Sequence, residues 1–333
     1  MFIVESYAAA VLLCVVTMLC WGSWANTQKL AGREWRFELF YWDYVIGVVL
    51  LSLLAALTLG SFGDSGRGFV ADLAQAEAGS ILSAMVGGAV FNAANILLVA
   101  AISIAGMAVA FPVGIGLALV LGVIVNYVAV PKGDPVYLFA GVFLIVLAII
   151  LDAAAYRSIP GEGRKASTRG LVLSVLCGIL MGFFYRFVAG SMAADFSRPE
   201  PGMLTPYTAV FFFSIGLLAS NFILNTLIMK RPFVGDPVSA ADYFKGSFHI
   251  HMIGILGGAI WGVGMMLSIL ASEQAGFAIS YGLGQGATLV AAIWGVFVWK
   301  EFSRAPASTN RLIGLMFAGY VAGLALIIYA RLA

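Results

Sequence analysis

Residues 88–120 read GAVFNAANILLVAAISIAGMAVAFPVGIGLALV, and residues 258–290 read GAIWGVGMMLSILASEQAGFAISYGLGQGATLV. Laid over one another with a shift of 170, Gly88 and Ala89 fall on Gly258 and Ala259, and Ala105, Gly106 and Ala108 fall on Ala275, Gly276 and Ala278. Gly114, Gly116, Leu119 and Val120 fall on Gly284, Gly286, Leu289 and Val290, while Phe111 meets Tyr281. The diagonal Gly88–Val128 needs no gap. Small residues coincide often in apolar sequence, so the run along one diagonal carries the weight, and it reads as an internal duplication. The first copy holds no Asp, Glu, Lys or Arg, and the second holds only Glu273. Neither copy suits a surface in water.

The rest of the chain has the same character. Hydrophobic residues make up 62% and charged residues 10%, against roughly 25% charged in an average soluble domain, and the mean hydropathy is +1.01. A spanning helix needs about 20 mostly apolar residues. Ten stretches qualify: Tyr7–Thr27, Tyr41–Ser61, Ala78–Ile102, Met107–Ala129, Val136–Tyr156, Arg169–Ala193, Pro206–Met229, Ile250–Ser272, Phe277–Trp299 and Asn310–Arg331. The diagonal pairs the third and fourth with the eighth and ninth, so each half holds five. An odd number makes the second copy enter the membrane from the opposite side, the arrangement of many secondary transporters. The expected fold is therefore all-α: a polytopic membrane protein of ten transmembrane helices in two inverted five-helix repeats, 1–160 and 161–333. The alternating strands of an outer-membrane barrel are missing.

The N-terminus MFIVES lacks the basic region of a secretory signal, so the first stretch is expected to be retained. The links after the first, fifth, seventh and ninth stretches hold Lys29, Arg33, Arg36, Arg157, Arg164, Lys165, Arg169, Lys230, Arg231, Lys245, Lys300, Arg304 and Arg311; the other side holds Arg67, Lys132, Arg198 and Arg331. The basic side is expected to face the cytoplasm of an inner membrane, with both termini outside. No basic run interleaves with aromatics, which argues against nucleic acid. Cys14, Cys20 and Cys177 form no C-x-x-C pair and no zinc spacing, so neither metal nor other cofactor is expected.

Val4-Glu5-Ser6, Tyr41-Trp42-Asp43-Tyr44, and the block from Gln274-Ala275-Gly276-Phe277-Ala278 through Gly284-Gln285-Gly286 to Trp294-Gly295-Val296-Phe297 and Trp299-Lys300-Glu301-Phe302 carry a resemblance. The chain resembles the drug/metabolite transporter superfamily, and within it the ureide permeases and the related sugar-uptake and rhamnose–proton symporter groups. The resemblance implies proton-coupled uptake of a small neutral polar solute: a ureide, nucleobase or sugar. Plant ureide permeases have a long central loop with a Walker-like sequence. Here that loop is short, and Gly161-Glu162-Gly163-Arg164-Lys165-Ala166-Ser167-Thr168 does not match G-x-x-x-x-G-K-[ST].

Ionisable side chains inside a bilayer are costly and need a reason. Arg186, deep in the sixth stretch, either lines a cavity as a fixed cation or snorkels to the interface. Asp43, among Tyr41, Trp42 and Tyr44, either caps its helix or accepts the coupling proton. Glu273, beside Gln274 in the tight eighth link, either caps the ninth helix or serves as a coupling carboxylate or gate; Glu5 has a weaker claim of the same kind. Asn92 and Asn95 share one helix face, as do Asn221 and Asn225. With Asn126 and Gln285 they offer donors and acceptors suited to solutes with C=O and N–H groups, or act as glue between helices. Of the aromatics Trp21, Trp24, Trp261, Tyr281 and Trp294, the two beside glycines, Trp24 and Trp261, rank first for stacking on a planar solute, with Tyr281 in a glycine-rich stretch. Gly106 and Pro112, and their partners Gly276 and Gly282, mark flexible helices around a midplane site. His249 and His251 face different sides of a helix and read as interfacial. Arg186→Ala and Asn95→Ala are expected to abolish uptake.

Other functions compete. An exporter of metabolites or drugs shares the superfamily. A channel fits the inverted halves less well. An intramembrane enzyme would need a His/Asp/Glu constellation, H-E-x-x-H or G-x-S-x-G, none of which occurs. The six amides favour a hydrogen-bonding solute over a greasy one.

Overall fold

The structure is a computed structural model that describes residues 1–32, 35–160 and 167–333. Arg33, Arg164, Lys165, the rest of the stretch 161–166 compared with the Walker pattern, and the proposed division at 160/161 lie at or outside the limits of the described residues. Among the described residues the chain is almost wholly helical, with one isolated bridge between Met192 and Leu204. Ten helices among the described residues are long and apolar enough to cross a membrane: α1 (Tyr7–Leu30), α2 (Phe37–Leu57), α3 (Ala78–Ala105), α4 (Met107–Ala129), α5 (Pro135–Arg157), α6 (Thr168–Ser191), α7 (Pro206–Lys230), α8 (Phe248–Ala275), α9 (Phe277–Val298) and α10 (Thr309–Tyr329).

Side-chain caps start several of them. Ser6, Asp134, Ser167 and Ser247 accept backbone N–H bonds at the first turns of α1, α5, α6 and α8, supplying partners the helix cannot. Gly106 and Gly276 end α3 and α8 at φ 79° and 88°, and each sends its N–H back to the carbonyl four residues earlier. Only glycine adopts that conformation at little cost, so both turns are single-residue links. Three spans are irregular inside: α1 turns at Trp24, between Ser23 and Ala25, and α4 and α9 are interrupted as well. In α4, Phe111–Ile115 forms a wide π-helical turn around Pro112, which has no N–H to give. In α9, the α-helix stops at Gly284, turns at Gln285–Gly286 and resumes at Ala287. The break falls three residues after Gly282.

Packing is close and paired. A Cβ at Gly258 would collide with the Tyr44 carbonyl, and one at Gly88 with the Phe213 carbonyl. A Cβ at Gly47 would meet the Ile255 carbonyl, and one at Gly216 the Met85 carbonyl. Each contact thus recurs with its residues shifted by 169 or 170. The contacts of α3 with α6 and α7, and of α4 with α6, match those of α8 with α1 and α2, and of α9 with α1. Pairs α2–α7, α4–α9 and α5–α10 are also in contact. Exchanging every helix for the one five places on leaves these pairings unchanged, while the contacts of α7 with α6 and α8 have no counterpart of similar extent. Between the small-residue seams sit fully buried rings, among them Tyr41, Tyr44, Phe184, Tyr185, Phe213 and Tyr281.

Candidate functional site

A cavity of about 410 Å³ lies where α1, α3, α4, α6, α8 and α9 meet, within the usual size range of small-molecule sites. One wall is aromatic. Trp21 stacks on Trp261 with centroids 5.8 Å apart and planes 13° apart, and its Nε1 donates to the Trp261 carbonyl at 3.2 Å, which fixes the ring. Phe91 packs on Trp261 at 4.3 Å, and Trp24 lies against Tyr44 at 4.7 Å. The polar side is made by Gln28, Asn95, Gln285 and Thr288. Gln285 stands at the break in α9, where Thr288 Oγ1 donates to its carbonyl at 2.9 Å. Asn95 Nδ2 donates to the Tyr41 hydroxyl at 3.2 Å, and buried Tyr41 is stacked between Phe37 and Tyr44. That bond orients the amide and leaves its Oδ1 for a ligand. Ile102, Ser103 and Phe111, beside the Gly106 turn, carry the cavity toward the face that bears the basic links.

The other direction is closed. Tyr185, Ser268, Ser280 and Tyr281 are all buried. The Tyr185 hydroxyl is 3.0 Å from Ser268 Oγ, Ser280 Oγ donates to the Ser268 carbonyl at 2.6 Å, and the Tyr281 hydroxyl reaches the Met181 carbonyl at 3.1 Å. Beyond this plug, the Glu273 carboxylate accepts the Phe196 N–H at 2.7 Å, and Lys132 Nζ donates to the Glu273 carbonyl. Burial, then the Arg331 charge, lower the Lys132 pKa against the pull of Glu273. Arg331 Nε donates to the Gln274 carbonyl at 3.1 Å. Arg67 pairs with buried Asp72 at 2.7 Å and reaches the Met203 carbonyl, while Asp72 accepts from Thr205.

The structure brings Trp24, Asn95, Trp261 and Gln285 together in the lining. It places the other expected residues elsewhere. Asn92 turns outward from the cavity, donating to Ser220 Oγ at 2.9 Å and the Leu217 carbonyl at 3.3 Å on α7. Asn225 donates to the Glu38 carbonyl at 2.9 Å, and Asn221 is buried in the same helix. Tyr281 belongs to the plug. Arg186 is half-buried near Gly190, outside the cavity. Asn126 bonds back to the Gly122 carbonyl at 2.8 Å. Gly106 and Gly276 form the two tight turns and Pro112 the wide turn, while Gly282 packs near Val123 inside regular helix.

Two cap readings are corrected. Helix α2 begins at Phe37, so Asp43 lies inside it and caps nothing; its carboxylate meets Tyr243 and His251 instead. Glu273 lies in the last turn of α8 rather than capping α9. Sequence reasoning passed over Gln28, Thr288 and Phe91, whose residue types carry no signal alone. It also passed over buried Asp152 in α5, for which a lone carboxylate in an apolar run was the signal.

The geometry agrees with what the chain is similar to. The sequence profile of the ureide permease family matches residues 40–169 and 157–330. "Ureide permease 1" of Arabidopsis thaliana is 23% identical over 384 aligned positions, covering 98% of both chains. "Ureide permease 2" of the same plant is 24% identical with the same coverage, and "Probable ureide permease A3" of Vigna unguiculata is 25% identical over 92% of this chain and 99% of its own. One solved crystal structure superposes on 97% of this chain and 98% of its own with a TM-score of 0.61 at 14% identity, a likeness of fold alone. With the profile spanning most of the sequence and ten apolar helices to hold it in a bilayer, the chain belongs to the ureide permease family and is a multi-pass membrane transporter, not an enzyme.

Proposed function

We propose that this protein is a proton-coupled importer of a small, planar, neutral polar solute of the ureide or nucleobase type. The observation that carries the reading is the cavity's chemistry. Among the described residues its lining has aromatic faces, amides and hydroxyls and no ionisable side chain. A charged solute would sit there unpaired at high cost. A planar one gains from stacking on Trp24 or Trp261, and its C=O and N–H groups find Asn95, Gln28 and Gln285. The relatives' names point to ureides.

The paired glycine contacts and the exchangeable helix pattern support two five-helix repeats, 1–160 and 161–333, set upside-down to each other. The two equivalent turns stand in different surroundings. A Cβ at Gly106 would meet nothing within 4 Å, whereas one at Gly276 would lie 2.9 Å from Lys132 Cβ. One turn is free and the other is packed, as expected of a transporter caught open on one side. With the basic face cytoplasmic and both termini outside, the cavity faces inward in an inner membrane. Glu273, whose bonds tie the closed face, is the coupling acid in this reading: protonation from outside weakens its bond to Phe196 and releases the turn.

The test uses purified protein in liposomes with labelled allantoin, a ureide. An inward-directed pH gradient is expected to drive accumulation, and Glu273→Gln to abolish it while sparing exchange. Absence of ureide uptake by the wild type, together with no thermal stabilisation by ureides, nucleobases or sugars, would overturn the reading.

A further inference from the structure

Asp43, His251 and Tyr243 form a buried cluster that the solute cavity does not use. Asp43 is fully buried in α2. Its Oδ1 accepts the Tyr243 hydroxyl at 2.5 Å, and His251 Nδ1 lies 2.9 and 3.0 Å from its two oxygens. Tyr243 ends the short helix Ala240–Tyr243 in the α7–α8 link, and His251 sits in the first turn of α8. Trp35 covers the group edge-on to His251 at 5.4 Å. The imidazole is 20% exposed while the carboxylate is 1% exposed, so water on the basic face reaches the first and not the second. Of the other charges on the surrounding elements, Arg36 pairs with Glu38, Asp242 with Lys245 and Lys29 with Glu301, and Lys230, Arg231, Asp236 and His249 make no ion pair with Asp43 or His251 among the described residues. Burial and the Asp43 carboxylate hold the Tyr243 phenol protonated well above its ordinary range. Among the described residues, the groups facing Asp43 are therefore a phenol held protonated and the imidazole of His251.

The cluster also touches the transport machinery. Asp43 packs on Gly254 of α8. Its neighbour Tyr44 lies 4.7 Å from Trp24 and 6.4 Å from Trp261, both in the cavity wall. The α2–α8 seam and the α7–α8 link thus close on one titratable ring.

We propose that His251 is a proton-binding site on the basic face and that its occupancy works a latch. With the proton bound, imidazolium and Asp43 carboxylate form an ion pair that clamps α2, α8 and the α7–α8 link and slows the transport cycle. With the proton lost, the pair reverts to a neutral hydrogen bond and the link loosens. The site is distinct from Glu273 and senses internal pH. The inference goes beyond proton coupling, and the uptake arm of its test rests on that reading.

Two measurements on the full-length protein test it. Hydrogen exchange of residues 239–251, corrected for intrinsic rates, is expected to slow by about five-fold between about pH 8 and about pH 5.5 in the wild type, and to show no such dependence in His251→Gln. In liposomes of set internal pH, the wild type is expected to take up allantoin faster at high internal pH, whereas His251→Gln is indifferent to it yet still accumulates allantoin down an external pH gradient. Equal pH dependence of exchange in both proteins would overturn the latch without needing any solute. Loss of gradient-driven accumulation in His251→Gln would overturn it differently, by making the cluster the coupling site itself. Failure of wild-type uptake would strike the importer reading and leave the exchange result to decide the latch.

Discussion

Asn92 and Asn95 lie one helical turn apart on α3, and changing each to leucine should have opposite consequences. Asn95 is 3% exposed, lines the cavity and has its amide fixed by the 3.2 Å bond to Tyr41. In Asn95→Leu, a solute N–H that met Oδ1 faces hydrocarbon. A buried donor left without a partner costs about 1–3 kcal/mol, and each 1.36 kcal/mol is a factor of ten, so KM for a ureide should rise about 5- to 150-fold. The loss in stability is smaller, because one interhelical bond in a membrane protein averages about 0.6 kcal/mol. Asn92→Leu breaks two bonds to α7, at 2.9 and 3.3 Å, and touches no part of the cavity. It should cost about 1 kcal/mol of stability and leave KM within about two-fold, a difference too small for any lost contact to solute. The assay is concentration-dependent uptake of labelled allantoin in liposomes, with melting of each purified variant as the control. An unchanged KM in well-folded Asn95→Leu, or an equal rise in Asn92→Leu, would refute the placement of the site.

Further outcomes follow from the same geometry. Gly258→Ala and Gly88→Ala each push a Cβ into a backbone carbonyl, which cannot move aside as a side chain can, and should each destabilise by about 1–3 kcal/mol. Gly314→Ala meets nothing within 4 Å and should be neutral or slightly stabilising; thermal melting of the three checks this. Arg186→Ala should keep uptake within about two-fold of wild type, since Arg186 does not line the cavity. Its loss of transport with normal insertion would restore Arg186 to the site.

The sequence made some of this legible and hid the rest for physical reasons. Spans were visible because a bilayer demands about 20 apolar residues in a row, and the predicted and observed ends differ by a few residues at most. In the sequence Gly106 and Gly276 read as marks of flexible helices, whereas they form the tight turns that end α3 and α8 at positive φ. Trp24 and Trp261 were visible through their glycine neighbours. The amides were not separable, since Asn92, Asn95, Asn221 and Asn225 differ in where α3 and α7 face and not in residue type. The pairing of Asp43 with His251 was hidden by 208 residues of separation and by the start of α2 at Phe37, which turns an apparent cap into an interior carboxylate.

On the proposed pseudo-symmetry, the two faces close by different chemistry. The shift of 170 that carries Gly106 onto Gly276 carries Ser103 onto Glu273 and Lys132 onto Phe302. On the closed face, Lys132 holds the Glu273 carbonyl and the Glu273 carboxylate holds Phe196. At the equivalent place on the basic face, Ser103 lines the cavity and bonds back to the Val99 carbonyl at 2.8 Å, while Phe302 packs against Tyr156 at 4.8 Å. Two copies of one fold would open either way with equal ease if their gates were identical. A carboxylate at Glu273 where the other copy has the hydroxyl of Ser103 breaks the tie at this pair of positions. In the proposed importer a proton arriving from outside would favour opening to the outside, and the proposed latch at His251 would act on the basic face. On this proposal the duplication supplies two interchangeable states, and departures from it such as Glu273 make the exchange between them depend on protons.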